Sequence, residues 1–221
     1  MENEKTPVPL STDECEKAVG DKLGQSFDLL IRRCKIQSTN GVFFLIDGMC
    51  DEIKLIQSVI GPLTDKHFLV EPGSTVNEKI KSVFYKGGGI TEKHTIEELT
   101  ADVLSGCAVL VTEGSGCALS FGIQGYAKKS ISEPQTEQNE RGSREGFTDN
   151  FKDNASLLRR RLRTPDLVIE KLTVGTLSET PVLFCYLKSK ADKHLVEKVK
   201  KRINSIKLEA ILGAGDIRPF L

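Results

Sequence analysis

The 221-residue chain has no tryptophan, and only 6% of it is aromatic. Side chains that stack on nucleic-acid bases are therefore scarce. It has 3 histidines and 6 cysteines, and Cys15, Cys34, Cys50, Cys107, Cys117 and Cys185 form no C-x-x-C pair. Without local Cys/His spacing there is no sequence case for a zinc site. Several of these thiols lie in apolar runs such as CAVLV and VLFCYL, where cysteine packs as a small hydrophobe. The start, MENEKTPVPL, lacks the basic and apolar stretches of a signal peptide. The longest apolar runs, such as VFFLI, are far shorter than the ~20 residues of a membrane helix. These absences read as a cytosolic chain.

A catalytic constellation is also missing. Gly87-Gly88-Gly89 is not followed by the G-K-[ST] of a phosphate loop. Gly114-Ser115-Gly116 joins two strand-like runs, whereas a nucleophile elbow joins a strand to a helix. Asp47, Asp51 and Glu52 sit at a strand end before a helix, where carboxylates serve as caps. No nucleophile, metal or cofactor is assigned, and the chain reads as a non-enzyme.

What is present is a soluble composition, 38% hydrophobic and 28% charged, with zero net charge. The charge is unevenly spread. Residues 1–150 carry 16 Lys and Arg against 23 Asp and Glu; residues 151–207 carry 14 against 6. Such a split suits a basic surface facing an anionic partner, two halves that attract each other, or a solvated basic helix.

Along the chain, Ser11 to Leu23 reads as a helix stopped by Gly24. Phe27–Ile36 and Val42–Asp47 read as strands around the turn STNG. Asp51–Ile60 is predicted helical with Ile53, Ile56 and Ile60 sharing an apolar face, and Asn77–Tyr85 as a further helix. Thr95–Leu104 opens with a capping box, and CAVLVTE and CALSFGI are a second strand pair. Beyond a charged stretch come a helix from Thr148 to Leu162, strands Asp166–Val174 and Pro181–Lys188, and a helix Ala191–Ile206. In that last helix Leu195, Val199, Arg202 and Ile206 line one side, with Val196 and Ile203 adjacent.

An internal echo appears. DLLIRRCKI, from Asp28, matches DLVIEKLTV, from Asp166, and VFFLI matches VLFCY. A repeated helix–strand–strand–helix unit on either side of a polar segment argues for an α/β fold of two small subdomains. Each is expected to carry a mixed sheet flanked by helices, over residues 11–128 and 147–221, joined by a charged connector at 129–146. In the helix after the connector, Phe151, Ala155, Leu158 and Leu162 make an apolar stripe. That phase predicts Arg159 and Arg161 beside the buried face, able to pair with carboxylates, and Arg160 pointing to solvent.

The connector alternates in sign through Glu133, Glu137, Arg141, Arg144 and Glu145. A flexible linker would be Gly/Ser-rich or one-signed, so these residues are expected to fix the connector by ion pairs to the subdomains. The run SEPQTEQNERGSREGFTDNFKDNASLLRRRLRTPDL resembles the signature of the GerA family, the A subunits of spore germinant receptors. The matching positions are Glu133, Pro134, Glu137, Arg141, Gly142, Arg144, Glu145, Gly146, Phe147, Asn154, Leu158, Arg159, Arg160, Arg161, Pro165 and Asp166. Ser143 departs from the family's usual proline, which leaves that turn less rigid. FLIDG from Phe44 and ILGAGDI near the end add weaker resemblance.

The resemblance implies an N-terminal soluble domain, on the cytosolic (spore core) side of a receptor in the spore inner membrane. It implies a role in germinant sensing, signal coupling or assembly. The implied partners are a membrane domain of the same chain and receptor B and C subunits, with a small-molecule germinant and an anionic membrane surface as further candidates. The alternative is a nutrient-binding module with its ligand cleft between the subdomains. The scarcity of aromatics argues against nucleic acid.

Overall fold

The computed structural model describes residues 5–84, 89–125 and 146–220. Helix α1 is Thr12–Lys22, with Asp13 and Glu14 in its first turn, where the helix dipole favours acid. It ends before Gly24, whose φ of +66° suits a residue without Cβ. Strands β1 (Leu29–Ile36) and β2 (Thr39–Ile46) form an antiparallel hairpin from Leu29↔Ile46 to Ile36↔Thr39. The connection is thus Gln37-Ser38, tighter than the STNG turn expected, and Gln37 takes a positive φ of 53°. Two-residue connections match the twist of paired strands.

A continuous helical segment follows: α2 (Glu52–Leu55), a π-helical turn (Ile56–Ile60) and α3 (Gly61–Thr64). The N–H of Gly61 reaches back to the carbonyl of Ile56, just before Pro62, which has no N–H to continue the ladder. Then come α4 (Val76–Phe84), β3 (Ile90–Lys93), α5 (Ile96–Leu104), β4 (Ala108–Thr112) and β5 (Ala118–Phe121). The short β3 was not anticipated. The sheet order is β1-β2-β4-β5-β3.

Both faces of this sheet are covered. Val42, Phe44, Ile46, Val109 and Val111 point to one side, beneath Cys15, Val19 and Leu23 of the α1 segment and Leu99 and Val103 of α5. Phe43, Leu45, Leu110, Leu119 and Phe121 point to the other, beneath Leu55, Val59, Leu63 and Ile80. The period of two along each strand thus splits one apolar run between two cores. It also corrects the helix phase read for Asp51–Ile60. Leu55, Val59 and Leu63 are the buried row, while Ile53 is 69% and Ile56 57% exposed. The i, i+4, i+8 row wins because it meets the sheet along the full helical segment.

The second half has α6 (Phe151–Arg161), β6 (Leu167–Val174), β7 (Thr180–Leu187), α7 (Lys193–Asn204) and the short α8 (Ala214–Ile217). β6 and β7 form a separate two-stranded sheet. Val174, Ile203, Ile206, Ile211 and Ile217 make one small core there, and Ala155, Leu167 and Ile169 another. The α/β class and the helix-flanked sheets are as expected. The expected mixed pairing is not: every described ladder is antiparallel. For three of the five ladders, β1–β2, β4–β5 and β6–β7, the hairpin connection forces antiparallel pairing. In α7 the buried row is Val196 and Ile203, and Leu195 is exposed.

The sequence echo has a structural counterpart. The N–H of Asp47 donates to the carbonyl of Asp28 at 2.8 Å, and the N–H of Lys188 to that of Asp166 at 2.9 Å. In both hairpins the aspartate stands one residue before the first strand and closes the ladder in the same way.

Candidate functional site

The two sheets meet around one buried charge. Arg159 and Asp28 are both fully buried, with Arg159 Nε donating to Asp28 Oδ2 at 2.7 Å and Nη2 to Oδ1 at 3.0 Å. This is the two-pronged geometry in which a guanidinium matches a carboxylate. Nη2 also donates to Ser26 Oγ at 2.8 Å, and Nη1 to the carbonyls of Leu167 (2.8 Å) and Thr164 (3.4 Å). All five N–H positions of the guanidinium are thereby used. Ser26 Oγ in turn accepts from the N–H of Ile169 at 2.7 Å and donates to its carbonyl at 3.1 Å. The N–H of Phe27 donates to that same carbonyl at 2.8 Å. One arginine of α6 therefore ties the approach to β1 to the entry of β6.

The surrounding sequence is shaped to this contact. Asn150 caps α6 by accepting from the N–H of Lys152 at 3.0 Å. The Asn154 amide clasps Thr148, accepting from its N–H and donating to its carbonyl, each at 2.7 Å. Pro165 follows Thr164 in the turn closed by Leu167 N–H to Thr164 O at 3.3 Å, a position its fixed φ suits. Asp166 accepts from the N–H and hydroxyl of Ser189 at 2.8 and 2.5 Å, locking the far end of the hairpin.

Around this centre the halves are in close contact. A Cβ on Gly24 would stand 2.6 Å from Val168 Cγ2, and one on Gly48 3.2 Å from Ser156 Cβ. Lys152 Nζ pairs with Asp47 Oδ2 at 2.8 Å, and this bond holds the Lys152 ammonium above its ordinary pKa. Lys188 Nζ donates to the carbonyl of Lys22 at 2.7 Å, at the C-terminal end of α1 where a cation is favoured. The Phe27 and Phe151 rings lie 6.0 Å apart, and Lys171 Nζ stands 5.3 Å from the Phe151 centroid.

The residues singled out in the sequence fall in different places. Arg159 reaches across the junction, while Asn154, Pro165 and Asp166 shape the segment that carries it, within the second half. Arg160 is half-buried and Arg161 exposed, the reverse of the order expected for that pair. Helix α6 ends at Arg161, so Leu162 leaves the stripe and is exposed, while Ala155, Ser156, Leu157 and Arg159 turn inward. The pull of Asp28 on Arg159 sets this phase. Gly146 is half-buried and Phe147 exposed. Glu133, Pro134, Glu137, Arg141, Gly142, Arg144 and Glu145, with the connector ion pairs expected of them, lie outside the described residues. Sequence reasoning missed Ser26 and Asp28. The echo was the available signal, since it marks Asp28 as the counterpart of the signature residue Asp166.

A second concave feature lies in the first half, beneath the start of α4, with a volume of about 430 Å³. On its floor Thr112 Oγ1 donates to Asn77 Oδ1 at 2.7 Å, and Asn77 Nδ2 to Cys117 Sγ at 3.3 Å. Lys81 and Glu92 pair at its edge at 2.8 Å. Their hydrogen bond raises the pKa of Lys81 and lowers that of Glu92. The Gly114-Ser115-Gly116 turn forms part of its wall.

A model of the family described as Bacillus/Clostridium GerA spore germination protein matches residues 17–221. Spore germination protein KA of Bacillus subtilis (strain 168) is 28% identical over 226 residues, covering 100% of this chain and 41% of that protein. Stage V sporulation protein AF of the same organism is 31% identical over 192 residues, covering 87% and 38%. The chain thus spans less than half the length of these relatives. The crystal structure of the N-terminal domain of the A subunit of the Bacillus megaterium spore germinant receptor GerK3 superposes with a TM-score of 0.69. It has 21% identity and covers 93% of this chain and 75% of that one. That likeness shows a shared fold. Among the described residues no helix is long and apolar enough to cross a membrane.

Proposed function

The chain belongs to the GerA family of spore germination proteins, and on that premise we propose that it is the N-terminal, cytosolic-face domain of a germinant-receptor A subunit and acts in signal coupling. It is a non-enzymatic module of a receptor in the spore inner membrane, working with a membrane domain of the same chain and with B and C subunits. The observation that carries this reading is the buried Arg159–Asp28 pair between the two sheets. A buried pair replaced by apolar groups is often no less stable. Its use here supports a junction with one set orientation, in which residues 11–128 and 147–221 act as two subdomains linked through 129–146. Such a joint can pass a change at one half to the other.

The test is spore germination by the full receptor carrying the apolar pair Asp28→Leu with Arg159→Met, with receptor level measured. Coupling through the junction requires slowed germination at normal receptor level. Normal germination at normal level would refute it. Arg141→Ala and Arg144→Ala in the connector are expected to impair germination in the same way.

The second reading, a small-molecule site, is favoured by the polar cleft under α4. Its buried Asn77–Thr112 pair and edge ion pair suit a small polar germinant. Equilibrium dialysis of germinants against the purified chain, with Asn77→Leu as control, decides it.

A further inference from the structure

Helix α7 uses its cations unequally. Lys200 turns toward the sheet and pairs with Glu170 at 2.8 Å and Glu197 at 3.6 Å, and Glu170 also accepts from the Tyr186 hydroxyl at 2.8 Å. That lysine fastens the helix. Lys193, Lys198 and Lys201 are exposed, and no carboxylate among the described residues lies within ion-pair distance of them. With Val196 and Ile203 buried, 100° per residue places His194, Lys198 and Lys201 along the outward pole. Arg202 and Leu195 lie on one flank of that pole and Glu197 on the other. Leu195 is 58% exposed, an apolar side chain beside a basic stripe. Lys207 extends the exposed charge past the helix end.

We propose that this outward face of α7 docks on an anionic lipid bilayer. Basic residues on one side of a helix are drawn to acidic headgroups, and an adjacent leucine inserts at the boundary between headgroups and acyl chains. The combination favours lipid over nucleic acid. A straight stripe with an apolar flank and no Phe, Tyr or Trp offers a polynucleotide little for its bases. The inference goes beyond the coupling role and does not depend on it, because the junction lies on α6 and not on α7.

The experiment is flotation of the 221-residue chain with vesicles of phosphatidylglycerol and phosphatidylcholine, against phosphatidylcholine alone, at low and high salt. Binding is expected only to the anionic vesicles and is expected to fall with salt. Each lysine near such a surface strengthens binding about fivefold, so Lys198→Ala and Lys201→Ala together should weaken it about 25-fold. Lys17→Ala with Lys54→Ala removes the same charge from exposed positions in the first half and should leave binding unchanged. Leu195→Ser should weaken binding without altering its salt dependence. Three results would overturn the proposal: no binding to anionic vesicles, equal weakening by the two double variants, or retention of a DNA duplex by a chain that ignores vesicles.

Discussion

Replacing Arg159 by methionine should destabilise the protein by about 3–5 kcal/mol, the usual cost of breaking a buried ion pair from one side. The structure explains why the cost falls in that range. Asp28 is fully buried, and among the described residues both its carboxylate oxygens are held by Arg159. Removing the guanidinium leaves a desolvated carboxylate without a partner, and also strips donors from Ser26 Oγ and the carbonyls of Thr164 and Leu167. A domain stable by about 5–15 kcal/mol survives such a loss but unfolds at visibly lower denaturant. Combining Arg159→Met with Asp28→Leu removes the stranded charge. The double variant should therefore regain most of the loss, falling short by about 1–3 kcal/mol for the orphaned carbonyls. Urea unfolding followed by circular dichroism, with equal m-values across the set, measures both steps. A single variant within about 0.5 kcal/mol of the parent, the scatter of ordinary surface changes, would refute the buried-pair argument. So would a double variant no more stable than Arg159→Met.

Gly24→Ala should cost about 1–3 kcal/mol and specifically loosen the second sheet, since it adds both a strained positive φ and a contact with Val168. Amide exchange at Ile169 that is no faster in the variant would contradict this. Burial pushes the thiols of Cys15 and Cys50 up to about 12 and that of Cys34 to about 11. These three should resist a thiol-disulfide reagent at pH 8 until denaturant is added, as mass spectrometry of the labelled chain will read. Labelling of Cys15 in the native protein would place it outside the core.

Much of the fold was legible because the apolar runs are strongly patterned. Phe43 and Phe44 fall on opposite faces of one strand, and Thr95 caps α5 as its capping box implied, accepting from the N–H of Glu98 at 3.3 Å. Helix phases were harder. In Asp51–Ile60 two interleaved apolar rows compete, and only the position of the sheet decides that Leu55 and Val59 win over Ile53 and Ile56. In α6 the deciding force is ionic. A stripe drawn from apolar residues alone cannot anticipate that Arg159 belongs inside, because its partner is 131 positions away in sequence. Arg159 is one position of the signature run, and nothing in that run names its partner.

The two hairpins share a backbone device and use the aspartate side chain differently. At each, an aspartate precedes a buried strand and its carbonyl closes the ladder, through Asp47 N–H in one case and Lys188 N–H in the other. The backbone role is the same at both, and the side chains differ in theirs. Asp166 binds neutral donors on Ser189 at the rim of its own hairpin, an interaction local in space. Asp28 stands where α6 crosses, and its carboxylate meets a charge from the other half of the molecule. A buried charge pair tolerates little misalignment, because each displacement leaves two desolvated ions poorly matched. The shared backbone position places an aspartate at the start of each hairpin, and the ion pair is what lets Asp28, unlike Asp166, bind across the junction.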